Sequence, residues 1–184
     1  MVVRKRLDIK GPQIVFVTTT VFNWQPILTK ANVIEVILSE FQISIKYFDI
    51  SLLGYVIMPS HLHALLGFPK IETLSQFMKA FKSITSRKVK SLDIPELSSN
   101  EFNLWKPRFD DLIVVSEEQF KIKLEYIHNN PVKAGHIREA TDWKYSSAID
   151  WMTDNRGALI EDKSYSFQSW KKGAGGEDTC RPLE

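Results

Sequence analysis

Two histidines one residue apart, His61 and His63, lie within the run Gly54-Tyr55-Val56-Ile57-Met58-Pro59-Ser60-His61-Leu62-His63-Ala64-Leu65-Leu66-Gly67-Phe68. Side chains alternate faces along a strand, so the two imidazoles project from one face, close enough to share a divalent ion. The β-branched and aliphatic flanks suit a strand at the centre of a sheet, with Leu62, Ala64 and Leu66 filling the opposite face. An inert, hydrogen-bonded pair of histidines on a half-buried strand has the same spacing, and spacing alone does not choose between them. Further along, Tyr126 and Asn130 stand four residues apart on a predicted helix and share a flank. A phenol can act as a nucleophile, but at neutral pH it is mostly protonated and needs a nearby cation or base. A core tyrosine bonded to a backbone carbonyl is the bland counterpart.

The elements that must position these groups follow from patterning. Residues 13–22, dense in β-branched and aromatic types after Gly11-Pro12, predict a first strand, and Asn23-Trp24-Gln25-Pro26 a loop. From Lys30 to Lys46 the residues Val33, Ile34, Ile37, Leu38, Phe41 and Ile45 recur at helical spacing and predict an amphipathic helix. Residues 50–68 predict two strands broken at Pro59-Ser60, antiparallel because the connection is too short for a crossover. A second helix is expected after Lys70, with Leu74, Phe77, Met78, Phe81 and Ile84 buried and Lys79, Lys82, Arg87, Lys88 and Lys90 elsewhere. That one-sided charge suits a phosphate-contacting face, although a solvated helix face looks the same. A loop over 93–103 and a last strand at Leu112–Val115 follow. Ser116-Glu117-Glu118-Gln119 is a capping box that opens a helix with Phe120, Leu124 and Ile127 on its buried face, and Pro131 is expected to end it. The order strand, helix, two strands, helix, strand, helix predicts an α+β fold, a ferredoxin-like sandwich with helices packed on a central antiparallel sheet.

At 184 residues and 43% hydrophobic, the chain can build one domain, expected over 1–150, with 151–184 as a C-terminal extension ending in a mobile tail after Trp170. A formal charge of only +2 excludes binding through bulk charge. The lone Cys180 excludes a disulfide framework and a cysteine zinc site. No apolar run approaches a membrane span, and the basic start Met1-Val2-Val3-Arg4-Lys5-Arg6 leads into no apolar core, so a cytoplasmic location without a membrane partner is expected.

Four blocks carry more together than any one alone: Tyr55-Val56-Ile57-Met58-Pro59-Ser60-His61-Leu62-His63, Leu104-Trp105, Tyr126-Ile127-His128-Asn129-Asn130-Pro131-Val132-Lys133-Ala134-Gly135 and Trp143-Lys144-Tyr145-Ser146-Ser147. In this order they resemble the single-tyrosine HUH transposases, among them the IS200-like REP-associated tyrosine transposases, over roughly residues 13–150. The resemblance implies that His61 and His63 hold a divalent cation, Mg²⁺ or Mn²⁺, with Asn130 as third ligand and Asn129 or Asp111 as alternatives. It implies Lewis-acid assistance to phosphoryl transfer, with Tyr126 attacking phosphorus, becoming joined to the 5′ side of the cut and leaving a free 3′-hydroxyl. The implied partner is single-stranded or hairpin DNA, bound by a monomer or a homodimer. Lys79, Lys82, Arg87 and Arg108 are candidate DNA contacts. A phosphotyrosine bond keeps the energy of the phosphodiester, and the chain shows no Gly-x-x-x-x-Gly-Lys loop for a nucleotide.

The chain also departs from the family. Asp110 and Leu112 stand where relatives carry an aromatic residue and a histidine. Asn130 precedes proline, whose ring disfavours a helical residue before it, so the Asn130 side chain is expected to leave the helix flank. His128 is expected to be structural, and Trp105 and Trp143 to be core anchors. The expectation is a metal-dependent single-strand DNA endonuclease and strand-transferase. The alternative is a non-catalytic nucleic-acid-binding module of the same fold. Retention of both histidines together with the tyrosine favours the enzyme.

Overall fold

A computed structural model describes residues 9–92, 94, 103–153, 155 and 157–159. Most of the loop expected at 93–103, the basic start, Cys180 and the tail after Trp170 lie outside the described residues. The strands are β1 (Gln13–Thr20), β2 (Ser51–Met58), β3 (His61–Phe68) and β4 (Asp110–Val114), and the helices are α1 (Ala31–Tyr47), α2 (Leu74–Lys90), α3 (Glu117–Lys133) and the short α4 (Ala148–Met152). The sheet runs β2-β3-β1-β4 with every neighbouring pair antiparallel, and its first six elements follow the ferredoxin-like order. Strand β4 begins two residues before the expected Leu112, because Asp110 pairs with Thr18 and Asp111 with Val17 on an exposed edge where apolar patterning is weak. Among the described residues, no helix is long and apolar enough to cross a membrane.

Both faces of the sheet are covered. Val15, Val17, Leu62, Ala64 and Leu66 share one apolar cluster with Ile34, Ile37 and Phe41 of α1 and with Phe77 and Phe81 of α2. Ile14, Phe16, Val56 and Leu65 share a second with Phe120 and Ile127 of α3. Strand alternation therefore turns His61 and His63 towards α3. A Cβ on Gly54 would stand 2.6 Å from Leu124 Cδ1, so the bare glycine lets α3 lie against β2. The outer edge of β2 is taken up by residues 143–151. Ile57 N donates to Tyr145 O at 2.8 Å and Ser147 N to Tyr55 O at 3.0 Å, and the indoles of Trp143 and Trp151 donate to the carbonyls of Ile57 and Leu53. A row of edge groups that would otherwise template another strand is thus paired within the chain.

Helix α3 opens as the capping box predicts. The Ser116 hydroxyl accepts from Gln119 N at 3.1 Å, and Gln119 Oε1 accepts from Val115 N at 2.9 Å. The expectation that Pro131 ends the helix is corrected: α3 runs through it to Lys133. In the last turn a proline forfeits one intrahelical bond, and here its ring is buried in compensation. The true stop is Gly135, at φ 74°, with Gly135 N on Val132 O and His136 N on Pro131 O, the paired bonds of a Schellman closure.

Candidate active site

The α3-facing side of β3 and one flank of α3 meet over His61, His63, Tyr126 and Asn130. The two imidazole centroids are 4.7 Å apart, and the Tyr126 ring stands edge-on to His63 at 5.3 Å. Phe16 of β1 stacks on His63 at 5.5 Å and meets the Tyr126 ring edge-on at 5.8 Å, so one β1 side chain fixes both. The Asn130 side chain lies near enough to His61 to act on its pKa as a hydrogen-bond partner, and Ser60 Oγ lies 3.2 Å from His61 Nδ1. The helix therefore keeps Asn130 on the flank that faces the histidines, and the expected displacement by Pro131 does not occur.

The charge state of the histidines follows from burial. Burial pushes the His63 pKa down to about 3, with His61 and Lys123 nearby lowering it further, and burial lowers His61 while its bond to Asn130 acts the other way. Both rings are neutral at neutral pH, as metal ligands must be. His63 Nδ1 lies 2.7 Å from Thr18 Oγ1, its cross-strand neighbour, while Nε2 is buried with no hydrogen-bond partner among the described residues. If Nδ1 donates its proton to Thr18, Nε2 presents a lone pair into the site, and an orphaned buried acceptor of this kind calls for a ligand. Two neutral imidazoles and an amide oxygen fit an open divalent-cation site rather than a closed zinc site. Among the described residues no three His, Cys, Asp or Glu side chains cluster, and the polar side chain beside His61 on α3 is the Asn130 amide.

The structure does not bring every candidate to this place. Asp111 pairs with Val17, whose side chain lies in the α1–α2 cluster, and so it faces away from His63. Lys79 and Arg87 line a groove between α1 and α2 with Ile43, Tyr47 and Phe48, on the opposite face of the sheet. The Lys82 ammonium is half-buried and donates to the carbonyls of Lys106, Pro107 and Arg108, where it ties down the approach to β4. Arg108 itself is exposed in that turn. His128 is buried, with its pKa pushed down to about 4 by desolvation, and its Nε2 lies 2.9 Å from Ser147 Oγ; this histidine braces α3 rather than lining the site. Trp105 is buried and donates to Thr85 at 2.8 Å.

Sequence reasoning missed four neighbours. Thr18 and Phe16 come from β1, and only the β1–β3 register shows which of its residues face His63. Lys123 extends its ammonium over Phe16 at 4.9 Å and Tyr126 at 5.7 Å; its position three residues before Tyr126 is the helical signal that marks it. Trp24, in the loop after β1, meets the His61 ring edge-on at 5.9 Å.

The sequence model described as IS200-like transposase matches residues 13–130, from the start of β1 to Asn130. The REP-associated tyrosine transposase of Escherichia coli (strain K12) is 24% identical over 111 residues, covering 55% of this chain and 62% of its own length. A Haemophilus influenzae relative is 22% identical over 114 residues, 59% of this chain and 65% of its own length. The chain thus spans less than two thirds of these curated relatives. A solved structure described as a REP-associated tyrosine transposase bound to a REP hairpin superposes with a TM-score of 0.68 at 20% identity, covering 88% of this chain and 93% of that one, which shows a shared fold. With the family match spanning more than half of the chain and including the strand and helix that meet at the site, this chain belongs to the IS200-like transposase family.

Proposed function

We propose that the chain is a single-strand DNA endonuclease and strand-transferase working through a covalent bond between Tyr126 and a 5′-phosphate. The observation that carries this reading is the Tyr126 ring set edge-on to His63, whose Nε2 is buried and unpaired among the described residues. His61, His63 and Asn130 would hold a divalent cation, Mg²⁺ or Mn²⁺. Such a cation, when bound, supplies Lewis-acid stabilisation of charge on the non-bridging phosphate oxygens.

The chain's own residues do the rest. Phe16 holds the phenol and the His63 ring in one arrangement, and Thr18 fixes the His63 ring. Tyr126 is 38% exposed, so a strand can reach its hydroxyl and its proton can leave to water. Its Oη forms the bond to phosphorus as the bond from phosphorus to the 3′-oxygen breaks, and that oxygen leaves as a hydroxyl by taking a proton from water. The Lys123 ammonium adds positive charge beside the developing phenolate. Attack of a 3′-hydroxyl on the phosphotyrosine reverses these steps and joins strands without a nucleotide.

The substrate is single-stranded DNA beside a hairpin, a reading supported by the hairpin in the related structure and by the reach a flexible strand has into such a site. Arg108 is a phosphate contact on this reading. Lys79 and Arg87 serve only DNA that continues around α2. One chain supplies all four site residues, and the β2 edge is already paired, so a monomer suffices. The work is cytoplasmic, where the DNA is. Incubation with labelled hairpin-tailed single-stranded DNA and Mn²⁺ should give an SDS-resistant adduct that Tyr126→Phe and a chelator both abolish. An adduct persisting in Tyr126→Phe refutes the nucleophile, whereas binding without any adduct leaves the non-catalytic module.

A further inference from the structure

The loop between β1 and α1 holds an aromatic ring out of the core beside the metal-ligand candidates. Trp24 is 58% exposed, and both it and Asn23 have left-handed backbones, at φ 58° and 53°. That conformation is unfavourable for a bulky side chain, so tertiary contacts must enforce it. Val21 N donates to Ser60 O, Phe22 N to Leu104 O and Leu28 N to Pro59 O, while Trp24 N closes a local turn on Val21 O. The loop is clamped between the β2–β3 turn that precedes His61 and the segment that carries Lys106. Among described residues, the indole has two ring partners, the His61 edge at 5.9 Å and the Lys106 ammonium 4.2 Å from its centroid.

An exposed indole with a cation beside it is a stacking platform for a base whose phosphate the cation can meet. We propose that Trp24 stacks on the nucleobase carrying the 3′-hydroxyl that leaves when the strand is cut, with Lys106 on an adjoining phosphate. The assignment to that side follows from the ring contacts. Tyr126 touches His63 and Trp24 touches His61, so tryptophan and nucleophile sit at opposite ends of the imidazole pair. In-line displacement puts the leaving oxygen opposite the attacking one, which is the Trp24 end. The inference rests on the single-strand DNA reading above.

The test uses full-length Tyr126→Phe protein, which cannot cut, and a fluorescein-labelled hairpin-tailed single strand with one abasic nucleotide moved stepwise along it. Trp24→Ala should weaken binding of the intact strand roughly tenfold to hundredfold, and Trp24→Phe should restore most of it. At one abasic step the loss of the base and the loss of Trp24 should not add, and in the cutting-competent protein that step should be the nucleotide left with the free 3′-hydroxyl. Trp24→Gly, which suits a left-handed backbone, should keep the melting temperature while losing the same affinity. Tight binding that ignores Trp24, coupling at a nucleotide on the 5′-phosphate side, or a melting temperature that falls with affinity in Trp24→Gly overturns the inference and leaves the endonuclease reading in place. Coupling at one step without any adduct from wild type removes the covalent chemistry and, with no cut to define a 3′-hydroxyl side, overturns this assignment too. No DNA binding at all removes both.

Discussion

Replacing Ser147 by alanine removes one oxygen from the point where α3, β2 and the segment after Trp143 meet. Ser147 is fully buried, and its hydroxyl accepts from Tyr55 N at 2.9 Å, donates to Tyr55 O at 3.2 Å and lies 2.9 Å from His128 Nε2. If the hydroxyl proton goes to Tyr55 O, the hydroxyl accepts from a His128 that carries its proton on Nε2. Deleting it orphans two buried donors, while Tyr55 O keeps the Ser147 amide. Each orphaned donor costs about 1–3 kcal/mol, so the substitution should destabilise the fold by about 2–6 kcal/mol. Urea unfolding measures this as a lower midpoint at unchanged slope. A second substitution, His128→Leu, removes one orphan, so the double variant should lose about 1–2 kcal/mol less than the sum of the singles. Because His128 is two residues from Tyr126 on α3, adduct formation should fall by more than the unfolded fraction explains. A loss below about 0.5 kcal/mol, or strict additivity, would refute the view that this hydroxyl pins α3 to the sheet.

Other perturbations follow from the same contacts. Thr18→Val keeps a β-branched strand residue but leaves His63 Nδ1 without its partner, so Mn²⁺ affinity measured by titration calorimetry should drop roughly tenfold to hundredfold with little change in stability. Unchanged affinity would remove Thr18 from the site. Lys82→Met breaks three hydrogen bonds to the carbonyls before β4 and should cost about 1–3 kcal/mol in urea unfolding, yet leave the salt dependence of DNA binding unaltered because its ammonium is held on those carbonyls rather than turned out to a phosphate. A shallower salt slope would return Lys82 to the DNA contacts. Arg108→Ala should do the reverse, weakening binding and reducing the slope by about one without loss of stability.

Much of this molecule is local, and that part is legible in the chain. Helical spacing marked α1 and α2, the capping box set the start of α3, and strand alternation put His61 and His63 on one face with Leu62 and Ala64 on the other. Each depends on residues a few positions apart, where backbone geometry alone dictates direction. Tertiary structure decided what non-local contacts decide. Pro131 reads as a stop, but a buried ring and the Gly135 closure carry α3 past it and keep Asn130 in reach of His61. Thr18 and Phe16 belong to the site only because β1 pairs with β3 in one register, and a shift by a single residue would turn them to the far face. Lys82 reads as a free cation until the chain before β4 folds over it, and Trp24 lies in an undistinguished loop until the turn before His61 holds it there. Periodicity fixes which way a side chain points from its own element; what it meets depends on where another part of the chain is placed.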